Sequence, residues 1–300
     1  MKILASILLQ FLIFNNAYAN LKSYLIDAPE IDEKCQIRVI ESTPNQKINS
    51  DYFFFIGYGD RADNHLPLFN KLNSVGNRVI SFDYPGHGLS KCNYLNSTDF
   101  TKLMKLVSKI ELHTRPKQKR PIILSGWSTG GLLALRLAQD NVLNNRPIKS
   151  LELIAPGISV YPLVGGDGII RNKTLLNNPN PPHMGPPIPI SPLLSPFFSS
   201  SIIFNGLLAR QLGMPNISTL VLIADDHDDL YAKSFVLKSF FQDQKLLNLN
   251  QNLNIVQCQN SKHEMDNEWD SIGEFVRNEI TKFSQNTENQ IGKNNFCGEI

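Results

Sequence analysis

Short apolar runs alternate with amphipathic stretches along most of the chain. Continuous apolar runs at Tyr52–Ile56, Ile122–Leu124 and Thr219–Ala224 predict strands that are buried on both faces. From Ser97 to Glu111 the apolar residues instead fall on one helical face, which predicts an amphipathic helix. Further strands are predicted at Cys35–Ile40 (a half-buried edge strand), Arg78–Phe82, Ser150–Ile154 and Leu253–Cys258, and further helices at Leu66–Leu72, from Leu132 to about Gln139, at Tyr231–Phe241 and at Trp269–Phe283. This alternation predicts an α/β fold with a mostly parallel central sheet and helices on both faces.

The alternation breaks between about residues 157 and 215. Eight of the 18 prolines lie between Pro179 and Pro196, and long helices cannot run through them. Apolar pairs such as Phe197-Phe198 and Leu207-Leu208 recur in this stretch. Because long excursions inside compact domains are usually functional, we predict a lid over an apolar acyl pocket. The alternative is a structural insertion whose apolar residues pack on the sheet.

The first 19 residues have the composition of a secretory signal peptide. Met1-Lys2 is a short positive start, an apolar run follows from Ile3 to Phe14, and Ala17-Tyr18-Ala19 resembles a cleavage site. The alternative is an uncleaved N-terminal anchor helix. We therefore expect an exported protein, periplasmic or secreted, with one domain over residues 20–300.

Composition and cysteine content narrow the chemistry. A net charge of +2 offers no basic footprint, so no nucleic-acid partner is predicted. In an exported protein the four cysteines, Cys35, Cys92, Cys258 and Cys297, are expected to form structural disulfides, and three pairings are open. The spacing contains no CxxC, so neither a zinc or redox site nor a cofactor is predicted.

The candidate nucleophile lies in the stretch Pro121–Leu133, which reads PIILSGWSTGGLL. A short apolar strand runs into Gly126-Trp127-Ser128-Thr129-Gly130, and a helix-forming segment follows. The pattern G-x-S-x-G is typical of a strained strand-to-helix turn that exposes a serine hydroxyl above the sheet. We predict that Ser128 is a catalytic nucleophile rather than part of an ordinary Gly-rich turn.

A nucleophilic serine needs a base, and the base needs a carboxylate that orients it. His263 follows the last predicted strand, so its loop can reach back across the carboxyl end of a parallel sheet. The acidic turn that ends the preceding strand, Asp225–Asp229, supplies the carboxylate in the chain order Ser, acid, His. The other five histidines are His65, His87, His113, His183 and His227.

Taken together, these segments resemble the α/β-hydrolases of the monoacylglycerol lipase, lysophospholipase and serine aminopeptidase group. Five motifs carry the resemblance, in the family's order: the turn Ile56–Asp60, the stretch Asp83–Ser90, the elbow Gly126–Gly131, the acid turn Asp228–Leu230 and the histidine loop His263–Glu268. The match spans about residues 50 to 283 except the predicted lid. The sequence departs from the family at Ile56, where the family usually has histidine.

The resemblance implies a role for each site residue. Ser128 attacks the carbonyl, His263 acts as general base and then as general acid, and Asp228 fixes the histidine tautomer. Counting back from Leu230 favours Asp228, and Asp226 is the alternative acid.

Two main-chain donors and one further histidine complete the implied site. The backbone N–H groups of Tyr58 and Thr129 are expected to bind the oxyanion. His87, within D-x-x-G-H-G, is expected to hold a structural hydrogen bond rather than to act in catalysis.

The resemblance and the apolar lid together imply a secreted serine hydrolase that cleaves lipid-like esters through an acyl-enzyme. The expected substrate is a small-molecule or lipid ester of the lysophospholipid or monoacylglycerol type, with peripheral membrane contact through the lid. A prolyl-type aminopeptidase is the first alternative, disfavoured because Asp167 is the lid's single acidic residue. The second is a non-catalytic binding protein on the same fold, which would be favoured by loss of a triad residue.

Overall fold

The computed structural model describes residues 20–92, 99–115, 120–140, 147–159, 196–227, 229, 231–247, 252–268, 271–288 and 290–300 of the 300-residue chain. The predicted signal segment 1–19 and most of the predicted lid, residues 160–195, lie outside the described residues.

One nine-stranded sheet forms the centre of the described part of the chain. The strands are β1 (Asn20–Asp27), β2 (Gln36–Thr43), β3 (Ser50–Phe55), β4 (Asn77–Phe82), β5 (Ile122–Trp127), β6 (Ile148–Ile154), β7 (Thr219–Ile223), β8 (Leu253–Cys258) and β9 (Cys297–Glu299). Their spatial order is β1-β2-β4-β3-β5-β6-β7-β8-β9. Strands β3 to β8 pair in parallel, whereas β1, β2 and β9 pair antiparallel. The predicted mostly parallel sheet is confirmed.

The two ends of the sheet differ from the sequence-based expectation. The predicted edge strand is β2, but it lies inside the sheet because β1 pairs along its whole length from Asn20 to Asp27. Most of β1 is exposed, and its apolar residues alternate with polar ones, so its sequence carries no continuous apolar run. The short strand β9 closes the other end and pairs with β8. Neither outer strand is predicted from the apolar pattern.

Among the described residues, six α-helices connect the strands. They are α1 (Leu66–Ser74), α2 (Phe100–Thr114), α3 (Thr129–Asp140), α4 (Pro196–Leu212), α5 (Ser234–Leu246) and α6 (Ser271–Gln285). Five correspond to helices predicted from periodicity. The exception is α4, which is 17 residues long, begins at the last of the eight clustered prolines and contains no proline after that first residue. The proline-rich stretch therefore ends in a long helix.

Two disulfides join distant segments, and the structure selects one of the three open pairings. Cys35 is bonded to Cys92, and Cys258 is bonded to Cys297. The second bond joins the last residue of β8 to the first residue of β9, so it fixes the C-terminal tail to the sheet. In the described parts of the chain, no helix is both long and apolar enough to cross a membrane.

The parallel strands position the site. The predicted oxyanion turn follows β3, Ser128 follows β5, the acid turn follows β7 and the histidine loop follows β8. Because these strands run in parallel, all four segments meet at the carboxyl edge of the sheet.

Candidate active site

Ser128 lies at a sharp turn between β5 and α3. β5 ends at Trp127 and α3 begins at Thr129, so the serine is the single residue between strand and helix. Its φ of 55° lies in the left-handed region, which is strained for a residue with a side chain. The Ser128 N–H donates to the Ile154 carbonyl (2.9 Å), and its carbonyl accepts from the Gly157 N–H (2.7 Å). These contacts with the end of β6 hold the strained turn in place.

The glycines of the motif are required because other backbone segments lie too close to them to leave room for a side chain. A side chain at Gly130 would collide with the carbonyl of Phe55 at the end of β3. A side chain at Gly126 would collide with the backbone of Gly130 across the turn. The pattern G-x-S-x-G is therefore a steric requirement of this turn in this sheet.

His263 contacts the serine hydroxyl directly. Its Nε2 atom lies 2.7 Å from Ser128 Oγ, and its Nδ1 atom lies 2.9 Å from Asp229 Oδ2. Both His263 and Asp229 are buried. Since Nδ1–H donates to the carboxylate, Nε2 is left to accept the serine proton.

Backbone donors hold the Asp229 carboxylate in place. Its Oδ1 atom accepts from the N–H groups of Tyr231 (2.8 Å) and Ala232 (3.0 Å). Oδ2 thus faces His263, and the carboxylate cannot rotate without breaking these bonds. Charge-assisted bonds of this kind fix orientation as well as charge.

The structure changes the residue assigned as the acid. Asp228, predicted from the sequence, lies outside the described residues, and the carboxylate at His263 is that of Asp229. The same pattern of an acid two residues before an apolar side chain fits Asp229 and Tyr231 as well as Asp228 and Leu230. The Tyr231 ring stacks on the His263 imidazole, with 5.1 Å between ring centroids. Asp226, the alternative acid, is partly exposed in the same turn.

Asp225 fixes the backbone of the acid turn. Its carboxylate accepts from the backbone N–H groups of His227 and Asn260, each at 2.8 Å. The first aspartate therefore caps the turn and joins it to the histidine loop. This capping determines where the later aspartates of the turn lie, and the capping contacts cannot be read from a linear sequence motif.

The turn after β3 supplies the predicted oxyanion donor Tyr58. The N–H of the next residue, Gly59, donates to His87 Nε2 at 2.8 Å. His87 Nδ1 lies 3.1 Å from the Pro85 carbonyl, so Nδ1 carries the proton and Nε2 accepts. His87 thus makes the structural hydrogen bond expected of it, and it holds the peptide that follows Tyr58.

The second predicted donor, Thr129, is the first residue of α3. The first N–H groups of a helix have no partner within the helix, and they lie at the positive end of its dipole. The Thr129 amide is therefore suited to an anion beside Ser128.

Aromatic rings form one wall next to the oxyanion turn. Phe198 of α4 packs against Tyr58 and stacks on Phe100 of α2, with centroid distances of 6.2 and 6.3 Å. Phe198 is fully buried, whereas Phe197 and Phe204 on the same helix are exposed. The described end of the predicted lid thus contributes an apolar surface near the site.

Trp127 contacts both His263 and His65. Trp127 Nε1–H donates to the His263 carbonyl at 2.8 Å, and the two rings are 5.4 Å apart. The His65 ring lies 5.9 Å from the indole, measured between centroids. Sequence reasoning assigned His65 no role, because it stands in a turn without a motif of its own.

One group in the described part of the chain offers three ligand atoms to a metal ion. Atoms of Asp60, His65 and Glu264 lie within 4.8 Å of one another. Both ring nitrogens of His65 already face carboxylates, Nε2 that of Asp60 (2.7 Å) and Nδ1 that of Asp266 (2.6 Å). An imidazole between two carboxylates holds two protons and no lone pair, so this geometry favours a proton over a metal.

The remaining histidines are His113, His227 and His183. His113, at the end of α2, and His227 are both exposed. His183 lies outside the described residues.

Comparison with known proteins agrees with the resemblance. Residues 48–179, less than half of the chain, match the family model of the S33 serine aminopeptidases. A protein of Mycoplasma pneumoniae named "Putative esterase/lipase 2" is 30% identical over 113 residues, which cover 38% of this chain and 40% of that protein. The matched part therefore spans less than half of this relative.

Solved structures share the fold over most of the chain. The crystal structure of Paleococcus ferrophilus monoacylglycerol lipase superposes with a TM-score of 0.66 at 19% identity, covering 83% of this chain and 99% of that one. A soluble variant of Saccharomyces cerevisiae monoglyceride lipase, in complex with a substrate analogue, gives 0.66 at 16% identity, covering 91% and 97%. At these identities the likeness establishes the fold.

Proposed function

We propose that this α/β-hydrolase cleaves carboxylic esters, with Ser128 as nucleophile, His263 as general base and acid, and Asp229 as the orienting carboxylate. The observation that carries the proposal is the continuous chain of contacts from Ser128 Oγ through His263 to Asp229, at 2.7 and 2.9 Å. A nucleophile, a base and an orienting acid within hydrogen-bond reach form the arrangement that acyl transfer requires.

The reaction follows from the proton positions. His263 Nε2 takes the proton of Ser128 as the hydroxyl oxygen attacks the ester carbonyl, and the resulting imidazolium is stabilised by Asp229. The same proton passes to the departing alcohol, which leaves an acyl-enzyme on Ser128. Water, deprotonated by His263, then releases the carboxylic acid. The N–H groups of Tyr58 and Thr129 stabilise both tetrahedral intermediates, an interaction whose loss typically costs about 3 kcal/mol in barrier height.

A lipid-like ester of the monoacylglycerol or lysophospholipid type fits the apolar surroundings. Phe198 brings an aromatic ring from α4 to the oxyanion turn, and the same helix exposes Phe197, Phe204 and Leu207. Such residues suit an acyl chain better than a charged substrate, and they support contact of this helix with a lipid surface.

Two features support export. The N-terminal segment has the composition of a signal peptide, and the chain carries two disulfides. Disulfides of this kind persist mainly in oxidising compartments. We therefore place the mature protein, beginning near Asn20, outside the cytoplasm.

The test is hydrolysis of a p-nitrophenyl ester series, from acetate to palmitate, by the mature protein and by Ser128→Ala. We expect turnover that peaks at medium or long acyl chains and that falls by a factor of about 10³ or more in the variant. A preference confined to acetate would remove the acyl-chain assignment and leave a small-ester hydrolase.

The peptidase alternative is tested with the same two proteins and a second set of substrates. Prolyl and alanyl p-nitroanilides report cleavage of an N-terminal residue, and a fluorophosphonate probe reports a reactive serine independently of substrate. Turnover of anilides without turnover of esters would favour an aminopeptidase. A folded protein that neither turns over substrates nor labels at Ser128 would favour a non-catalytic binding protein.

A further inference from the structure

His65 is a fully buried histidine with a carboxylate at each ring nitrogen. Asp266 Oδ2 lies 2.6 Å from Nδ1, and Asp60 Oδ2 lies 2.7 Å from Nε2. Neither His65 nor Asp266 has any exposed side-chain surface, and Asp60 has almost none. A neutral imidazole could donate to one of these carboxylates but would have to accept from the other, which carries no proton when ionised.

The two carboxylates belong to different segments of the active site. Asp60 follows the oxyanion turn, two residues after Tyr58. Asp266 stands in the histidine loop, three residues after His263, within the 3₁₀ turn Met265–Asn267. Positions 60 and 266 are far apart in sequence, so His65 forms a non-local connection between the two catalytic segments.

Further contacts make the connection stiff. The His65 ring lies 4.6 Å from Phe54 and 5.9 Å from Trp127, measured between centroids. Trp127 donates to the carbonyl of His263, and its indole fills the space that a side chain at Gly57 would occupy. A displacement of His65 would therefore move the supports of both the oxyanion turn and the catalytic histidine.

The charged and titratable groups around His65 are mostly acidic. The acidic groups are Asp60 of the oxyanion turn and Asp266 and Glu264 of the histidine loop. Tyr84 interacts electrostatically with Asp60, and Tyr52 with Asp266. The positive group is Arg277, which donates to the Asp266 carbonyl. Although burial alone would lower it, Asp266 and Asp60 hold the pKa of His65 well above its ordinary value. Asp266 Oδ1 has no hydrogen-bond partner among the described residues, so His65 is the main compensation for that carboxylate.

We propose that His65 is a positioning residue, a permanently protonated imidazolium that clamps the oxyanion turn to the histidine loop through Asp60 and Asp266. It touches neither the substrate nor the reacting atoms. Its effect on catalysis is to hold Tyr58 and His263 at a fixed separation, on which both oxyanion binding and proton transfer depend. The kinetic part of this inference rests on the proposed ester hydrolysis, whereas the protonation state does not.

Asp266→Asn tests the clamp because asparagine keeps the size of the side chain and can still accept one hydrogen bond. Removing this negative charge lowers the pKa of His65. Below the new pKa the imidazolium donates to both segments. Above it the neutral ring donates to Asp60 alone and can only accept from the asparagine amide, so a bond between two neutral groups replaces the ion pair on that side. We therefore expect the ratio of variant to wild-type kcat to be near one at pH 6 and to fall at least tenfold by pH 9, with KM within about threefold.

His65→Gln and Glu30→Gln are the matched variants. Glutamine at position 65 is neutral at every pH, so its kcat ratio is expected to be low and independent of pH. Glu30 lies between β1 and β2 and pairs with Lys109 of α2, so its loss removes a carboxylate without touching the clamp. Melting temperatures of all three variants separate a loss of positioning from a loss of folded protein.

Proton-detected ¹⁵N spectra of the histidine rings give a readout that does not depend on activity. In the wild-type protein at pH 8 we expect both ring nitrogens of His65 to be protonated, and in Asp266→Asn one of them. A singly protonated His65 in the wild type would overturn the clamp, and so would a wild-type kcat in His65→Gln. Activity lost with EDTA and restored by Zn²⁺ would replace the clamp with a metal site. Were the wild-type protein inactive on esters, the spectra would still decide the protonation state.

Discussion

At the residue scale, the contact between Ser128 and His263 could be predicted from sequence, and the identity of the carboxylate at His263 could not. Ser128 is marked by glycines that the turn requires, because a side chain at Gly130 would collide with the end of β3. His263 is marked by its place after the last parallel strand. The acid lies among four aspartates, and its identity depends on Asp225 capping the turn, a contact with Asn260 of another loop.

Exchange of each candidate acid for asparagine separates the two assignments. We expect Asp229→Asn to lower kcat by a factor of about 10³–10⁴, because the amide no longer favours the Nδ1–H tautomer of His263 or stabilises its imidazolium. Asp228→Asn, the isosteric control one residue away, is expected to stay within about threefold of wild type. Rates with p-nitrophenyl butyrate at pH 8 measure both, and the opposite ranking would return the role to Asp228.

At the scale of elements, long apolar runs were enough to predict the parallel core. Strands β3 and β7 are buried along their whole length, so their sequences carry a continuous apolar signal. The outer strands β1 and β9 are mostly polar or very short, and they exist because a neighbouring strand offers unpaired backbone groups. Helix α4 was missed because prolines precede it, although its own sequence contains none after its first residue.

The disulfide between β8 and β9 supports the histidine loop. Cys258 ends β8, and its carbonyl accepts from Ser261 Oγ, which itself accepts from the N–H of Asp225. The Ser261 side chain thus joins the disulfide-bonded strand to the acid turn. Loss of the bond should therefore affect catalysis as well as stability.

We expect the Cys258→Ser/Cys297→Ser variant to lose about 2–4 kcal/mol of stability, because the unfolded chain is no longer constrained across this loop. Its kcat should fall severalfold more than that of Cys35→Ser/Cys92→Ser, whose bond closes a loop of similar length, with a sequence separation of 57 against 39. Denaturant unfolding and ester kinetics measure the two effects. Equal kcat values in the two variants would contradict a specific link to the histidine loop.

At the scale of the whole molecule, the sheet buries charges far from the site. Near the amino end of β3, Asp51 is bonded by the guanidinium groups of Arg78, Arg115 and Arg120, which come from β4, the end of α2 and the segment before β5. A buried carboxylate with three cationic partners is well compensated, so this cluster holds the elements together. The sheet also contains a buried carboxylate that is compensated much less.

That carboxylate is Glu152, fully buried on β6. Tyr52 donates to its Oε2 atom, and Lys149 is the nearby positive charge. Burial outweighs both and raises the pKa of Glu152 to about 8. The folded state therefore keeps a proton that the unfolded state, with a pKa near 4.5, releases. Ionisation of the unfolded chain makes folding less favourable as the pH rises from about 4.5 to about 8.

Glu152→Gln removes this pH-dependent cost while it keeps an acceptor for the Tyr52 hydroxyl. We expect the variant to match wild type near pH 5 and to be more stable by roughly 2–4 kcal/mol at pH 8. Glu111→Gln is the contrasting control. Its carboxylate is bonded to Arg115, so its loss should destabilise the protein at pH 8 by about 2 kcal/mol or more. Urea unfolding of the three proteins at pH 5, 6.5 and 8 measures the differences. A stability difference between Glu152→Gln and wild type that does not grow with pH would mean that Glu152 is already ionised in the folded sheet.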